Sequence, residues 1–201
     1  MKLLELFSGT GSVGKVAKEL GYEVVSLDLK GADINTNILD WDYTQYPEGH
    51  FDIVWASPPC NTFSKLRNSH IGRGMTHESI RADIENIGLP ILRKAEEIID
   101  YLKPTTWFIE NPQTGKMKEY LERPFYDVDY CKYGFSYRKR TRIWTNKQNF
   151  ESKLCKKDCG NIVGKKHTHQ MGNASSNVNV GNLKQKYSIP SRLIYELLVS
   201  H

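Results

Sequence analysis

The sequence predicts an α/β domain: a mostly parallel sheet with helices on both faces. Three observations carry this reading. Short apolar runs of strand length alternate along the chain with segments of helical periodicity. The first run leads through a glycine-rich turn into a helix and then a second strand, which describes a βαβ unit. Two later strand-like runs end in proline-containing turns, at Ser57-Pro58-Pro59-Cys60 and at Glu110-Asn111-Pro112. The 201 residues fit one domain with little left for a second. At 39% hydrophobic and 25% charged residues, the composition is that of a chain able to bury a core.

Residues 2–7 read as a short buried strand, and 8–14 as the glycine-rich turn. A helix follows over 13–20, stopped by Gly21-Tyr22, and 23–28 form the second strand. A third short strand is expected near Ile38, and 51–56 make the next clear one. The polar, basic stretch 64–77 reads as an exposed loop. A long helix is expected over 80–102, with Ile84, Ile87, Ile91, Ala95, Ile98 and Ile99 on its apolar side, kinked or split by Gly88 and Pro90 and stopped by Pro104. Strands are expected at 106–110, 126–130 and 141–145. The chain is then polar and irregular over 146–184, and a last helix spans 190–199. No repeat is visible. Three units follow: a catalytic domain at 1–145, a short insert at 146–184, and a C-terminal helix at 185–201 that returns to the domain.

No stretch approaches the roughly 18 apolar residues of a membrane span. The apolar N-terminal run is too short for a signal peptide. The expectation is a cytoplasmic protein, of a bacterial cell or an infected host cell, with no membrane partner. The net charge of +5 and a pI of about 8.9 suit a nucleic-acid partner and suit a solvated basic face equally. Without a secretory signal, the four cysteines read as free thiols or metal ligands rather than disulfides.

The turn Phe7-Ser8-Gly9-Thr10-Gly11 leaves a strand and enters a helix, whose N-terminus offers unpaired N–H groups. Asp28, at the end of the second strand, is placed to bind the two hydroxyls of a ribose. Together they point to a nucleoside cofactor, without separating a dinucleotide from S-adenosylmethionine (SAM). Cys60 sits at the carboxyl edge of a buried strand behind two stiffening prolines. It reads as a nucleophile or as a small core residue. Glu110 puts a carboxyl group at the same edge, or simply faces water there. Arg138, Arg140 and Arg142 alternate, so on an extended strand they share a face; they either grip an anion or carbonyl or protect a sheet edge.

Each signal is ambiguous alone, but their order along the chain resembles the cytosine-C5 DNA methyltransferases. LELFSGTGSVG resembles that family's SAM-binding glycine motif, SLDL its ribose-binding acid, and SPPCNTFS its Pro-Cys nucleophile motif. FIENP is similar to its Glu-Asn motif, YGFSYRKRTRIW to its Gln-x-Arg-x-Arg motif, and KYSIPSRLIYELL to its closing helix. The resemblance covers 1–145 well and 185–200 loosely. It implies a Rossmann-like SAM-dependent methyltransferase fold and duplex DNA with a flipped cytosine as partner. It implies a cofactor site of Phe7, Gly9, Thr10, Gly11, Asp28, Leu29, Asp40 (Asp42 as fallback) and Pro58. It also implies a catalytic set of Cys60, Glu110, Arg140 and Arg142, with Cys60 attacking carbon 6 of cytosine.

The chain departs from the family pattern at Arg138, where Gln is usual, and at Pro112, where Val is usual. The Gly-Asn pair that opens the last motif is absent unless Gly172-Asn173 or Gly181-Asn182 replaces it. Only 146–184 stands where the family carries a large target-recognition region. The expected consequences are weak or very short sequence specificity, an accessory specificity protein, or a different substrate form such as RNA or a free cytidine nucleotide. A non-catalytic regulator that binds SAM or nucleic acid is the third alternative. The insert holds Cys155, Cys159, His167 and His169, a spacing that either binds a structural zinc or is incidental to a basic loop.

Overall fold

The computed structural model describes residues 1–169 and 186–199. Seven strands form one sheet in the order β3-β2-β1-β4-β5-β7-β6. These are β1 (Lys2–Leu6), β2 (Glu23–Asp28), β3 (Ile34–Asn35), β4 (Ile53–Ala56), β5 (Thr106–Pro112), β6 (Phe125–Asp129) and β7 (Arg140–Thr145). The pairs among β3, β2, β1, β4 and β5 are parallel, while β7 runs antiparallel to both β5 and β6. Helices α1 (Ser12–Glu19), α2 (His77–Asp83), α3 (Leu89–Leu102) and α4 (Ser191–Val199) lie among the described residues. None of the described helices is long and apolar enough to cross a membrane.

Alternation along the strands sorts side chains to the two faces. Leu4 and Leu6 of β1 and Trp107 and Ile109 of β5 pack with α2 and α3, through Ile80, Leu92, Ala95, Ile98 and Leu102. Leu3 and Phe108 pack on the other face with Val13, Val16 and Ala17 of α1 and Leu193, Ile194 and Leu197 of α4. Burying each such Leu or Ile contributes about 1.5–3 kcal/mol, so both helix layers are held mainly by apolar contact. On this second face, in phase with Leu3 and Phe108, the two strands also carry Glu5 and Glu110, 3% and 6% exposed.

Three expectations are corrected. The third strand lies at Ile34–Asn35 rather than near Ile38. The Asp33 carboxylate accepts the Ser26 N–H and hydroxyl, and the Asn35 side chain closes the turn on Ala32, which fixes the pairing there. Ile38 is apolar because it is buried in the core, 3% exposed. The 64–77 loop contains a 3-10 turn, Lys65–His70, capped by the Ser64 hydroxyl and tied to α2 by an Arg67–Asp83 ion pair. The long helix begins at His77 because Thr76 and Ser79 form a reciprocal capping box. It is interrupted by a π-helical turn, Ile84–Gly88, before α3.

Beyond β7 lies a hairpin of two short strands, β8 (Ile162–Val163) and β9 (Lys166–His167), separate from the main sheet. The boundary expected at 184 and both Gly-Asn pairs fall outside the described residues.

Candidate active site

A cavity of about 1030 Å³ opens at the carboxyl ends of the parallel strands. It is large enough for a nucleoside cofactor together with a base, since single-ligand pockets run from about 300 to 1,000 Å³. The direction of the strands reverses beside it, between β5 and β7.

One wall is the turn after β1. Phe7 and Gly9 have left-handed backbones, φ 60° and 49°, so the chain folds back tightly as it leaves the strand. The Asp28 carboxylate holds this turn: it accepts the Gly9 N–H at 2.8 Å and the Leu29 N–H at 2.7 Å. Each oxygen retains capacity for a further donor from the cavity. Phe7, Gly9, Thr10, Asp28, Leu29 and Pro58 line the space. Gly11 does not; its N–H closes the turn on the Ser8 carbonyl at 2.7 Å. Asp40 does not line it either, and Asp42 caps a 3-10 turn through the Thr44 N–H, so the lining from that segment is Thr36, Asn37 and Ile38. Glu5 lies beneath the turn and accepts the Gly14 N–H at 2.9 Å. Burial raises its carboxyl to about 7, against the N–H bonds from Gly14 and Val13.

The cavity is also lined by Cys60, in the turn that follows β4, and by Glu110, within the neighbouring parallel strand β5. The buried Asn111 side chain donates to the Pro58 carbonyl at 2.8 Å, clamping the proline turn to β5. Tyr130, fully buried, donates its hydroxyl to Glu110 Oε1 at 3.0 Å. Lys139 Nζ is 4.0 Å from the same oxygen and sits over the Tyr130 ring. Burial pushes the Cys60 thiol above its ordinary value; the negative Glu110 adds to this and Lys139 opposes it.

The arginines separate. Arg140 lines the cavity and Arg142 does not. Arg140 is held by a two-point bond to Asp129, Nε at 3.0 Å and Nη2 at 2.7 Å, which leaves three of its five N–H donors for other acceptors. Arg142 pairs the same way with Asp127 and lies 3.5 Å over the Phe125 ring. These are directly opposed cross-strand pairs, Asp129↔Arg140 and Asp127↔Arg142. Arg138 also bonds Asp129, at 3.2 Å. Burial penalises the Asp129 charge, but the bonds from Arg140, the Cys155 N–H and Arg138 outweigh it and hold the carboxyl below its usual range.

Sequence reasoning misses Lys139, Tyr130, Asp129 and Glu5. Lys139 is out of phase with the arginine row that drew attention. Tyr130 and Asp129 carry no local signal because their roles depend on strands that pair only in the fold. The metal candidates change in one member: Cys155, Cys159 and His167 gather with Cys131, which takes the place assigned to His169.

No protein-family model matches the chain. A protein of Frog virus 3 (isolate Goorha), described as "Probable DNA (cytosine-5)-methyltransferase", is 46% identical over 211 residues, covering 98% of this chain and 99% of that protein. Among solved structures, the Entamoeba histolytica methyltransferase EhMeth superposes with a TM-score of 0.53 at 15% identity, over 77% of this chain and 55% of that one. A prophage-encoded E. coli protein, described as a candidate DNA modification methyltransferase, superposes with a TM-score of 0.50 at 14% identity, over 72% and 46%. This chain thus spans about half the length of the two solved proteins, and at these identities they share its fold alone. The near-full-length relative carries the assignment further: the chain belongs to the DNA (cytosine-5)-methyltransferase family.

Proposed function

We propose that this protein transfers a methyl group from SAM to carbon 5 of cytosine in DNA, through a covalent bond from Cys60 to carbon 6. One observation carries the reading: Cys60, Glu110, Arg140 and the Asp28-held glycine turn all line a single cavity. The residues present fit SAM. The left-handed Gly9 leaves close approach open, and Asp28 has lone pairs free for ribose hydroxyls. Bound there, SAM supplies an electrophilic methyl group on its sulfonium.

The chain's own residues do the rest. Cytosine carbon 5 is a weak nucleophile until carbon 6 is attacked. The Cys60 thiolate forms the S–C6 bond, and the displaced ring electrons make carbon 5 enamine-like. Glu110 protonates or hydrogen-bonds ring N3, drawing electrons toward it. Arg140 directs its remaining donors at the O2 carbonyl, with Asp129 fixing the plane of the guanidinium. After carbon 5 is methylated, a base takes its proton and the S–C6 electrons return to Cys60. Arg142, paired away from the cavity, is a positioning residue for the sheet edge. In duplex DNA the cytosine leaves the stack to reach Cys60.

The test is transfer of labelled methyl from SAM to duplex DNA, single-stranded DNA, tRNA and dCMP, with mass analysis of the product. 5-Methylcytosine in DNA is expected from the native protein. Cys60→Ser is expected to bind SAM without turnover. Label confined to RNA or nucleotide would move the substrate, and full activity of Cys60→Ser would remove the covalent step. Methylation of DNA only after a second protein is added would identify an accessory specificity partner.

A further inference from the structure

We propose that Cys131, Cys155, Cys159 and His167 bind a structural zinc ion, and that this ion braces the Asp129–Arg140 wall of the cavity. The four donor atoms lie within 4.8 Å of one another. Cys155 Sγ and His167 Nε2 are 3.5 Å apart. A tetrahedral zinc with three thiolates and one imidazole has S···N edges of about 3.6 Å and S···S edges of about 3.8 Å, from metal–ligand lengths of about 2.3 and 2.05 Å. The observed spread needs only a small contraction to reach that shape. Three thiolates and one imidazole form a soft donor set suited to zinc and poorly suited to magnesium or calcium.

The surrounding backbone is built for such a centre. Lys157, between Cys155 and Cys159, has a left-handed backbone (φ 69°), and its N–H donates to Cys155 Sγ at 3.3 Å. This tight turn presents both thiols from one side. Lys132 pairs with Asp158 at 3.0 Å, so a second contact joins the Cys131 segment to the Cys155–Cys159 turn. Elsewhere the segment is tied to the domain by separate polar bonds, among them Asn161 to the Phe135 carbonyl, Thr168 to the Ser136 carbonyl and the Lys153–Glu196 pair. Its hairpin has two residues per strand, well below what holds together in water unaided. A metal is the common staple where a core is too small.

The link to the cavity is one residue long. Asp129, with no exposed surface, accepts the Cys155 N–H at 2.8 Å on Oδ2, the oxygen that also binds Arg140 Nη2 at 2.7 Å. Cys131 follows two residues later on the same chain. Metal at the cluster therefore fixes both the backbone that carries Asp129 and the N–H that orients its carboxylate. This second half of the proposal rests on the methyl-transfer reading; the metal site does not.

The experiment begins with metal content. Protein purified without chelators is expected to hold one zinc per chain, and exchange with cobalt(II) should give the intense visible bands of a tetrahedral thiolate site. Cys131→Ser should lose most of the metal, while His169→Ala keeps it. His167→Cys conserves a tetrahedral donor set, so it should retain metal and shift the cobalt bands, which guards against a Cys131 variant that fails to fold. Protein that binds SAM yet holds no stoichiometric metal and four titratable thiols would overturn the site; two titratable thiols and no metal would replace it with a disulfide. Metal lost from His169→Ala but kept by Cys131→Ser would overturn the ligand set. Chelation of the native protein should then speed amide exchange across 137–145 and lower kcat at least tenfold, with the SAM Kd within twofold. Unchanged exchange after full metal removal would refute the brace even if no methyl transfer is ever found.

Discussion

At the scale of single residues, the contest around Cys60 decides when its thiolate, the nucleophile in the proposed mechanism, is available. Burial and the Glu110 charge hold the thiol protonated, and Lys139 favours the thiolate. Since only the thiolate attacks, alkylation of Cys60 should rise about tenfold per pH unit with no plateau below about pH 8.5, the value for a free cysteine. Lys139→Met should slow it several-fold at a fixed pH, because a cation that favours the thiolate is gone. Glu110→Gln should quicken it, because a repelling charge is gone. Peptide mapping with an alkylating reagent reads Cys60 apart from the other three cysteines. A plateau below neutral pH, or a faster Lys139→Met, would contradict this balance.

At the scale of elements, the π-turn packs closely against the segment after Cys60. A methyl group on Gly88 would stand 2.6 Å from Thr62 Oγ1 and 2.9 Å from the Phe63 ring. Gly88→Ala should therefore displace the segment that follows Cys60. The expected outcome is a loss of about 1–3 kcal/mol in stability, as for other overpacked sites, and a fall in kcat with SAM affinity unchanged. Thermal melts and single-turnover kinetics check it, and a silent substitution would show that the segment yields freely. The strands here were legible because their apolar runs and proline stops are local. The helix break was legible because Gly88 and Pro90 are strong punctuation. β3 was not, since two residues pair there through side chains of Ser26 and Asp33 rather than through any apolar pattern. Cys131 could not be grouped with Cys155 from spacing, because the chain beyond β7 returns to the end of β6, where the Lys153 carbonyl accepts the Asp129 N–H and the Cys155 N–H donates to the Asp129 carboxylate. Cys60, Glu110 and Arg140, singled out from the sequence, line the same cavity, whereas the separation of Arg140 from Arg142 emerged only once Asp127 and Asp129 stood opposite them.

At the scale of the whole molecule, the proposed methyl-transfer unit leaves only the stretch 146–184 for a recognition region. Base-edge contacts specify sequence, while phosphate contacts mainly position the protein. A chain with net charge +5 and so small an insert should hold DNA chiefly by phosphate contact. Its DNA affinity is therefore expected to fall steeply between low and physiological salt. Its methylation marks should span several flanking contexts, with preference over no more than about two neighbouring bases. Binding at two salt concentrations and sequencing of methylated mixed DNA measure both. A strict site of four or more bases would show that recognition comes from elsewhere. The partly buried Cys60 also bears on durability. Peroxide, like an alkylating agent, reacts with the thiolate, so a thiol kept protonated in the idle protein oxidises slowly. In the proposed mechanism, the same desolvation that delays attack on the base preserves the sulfur in its reduced state between encounters with substrate.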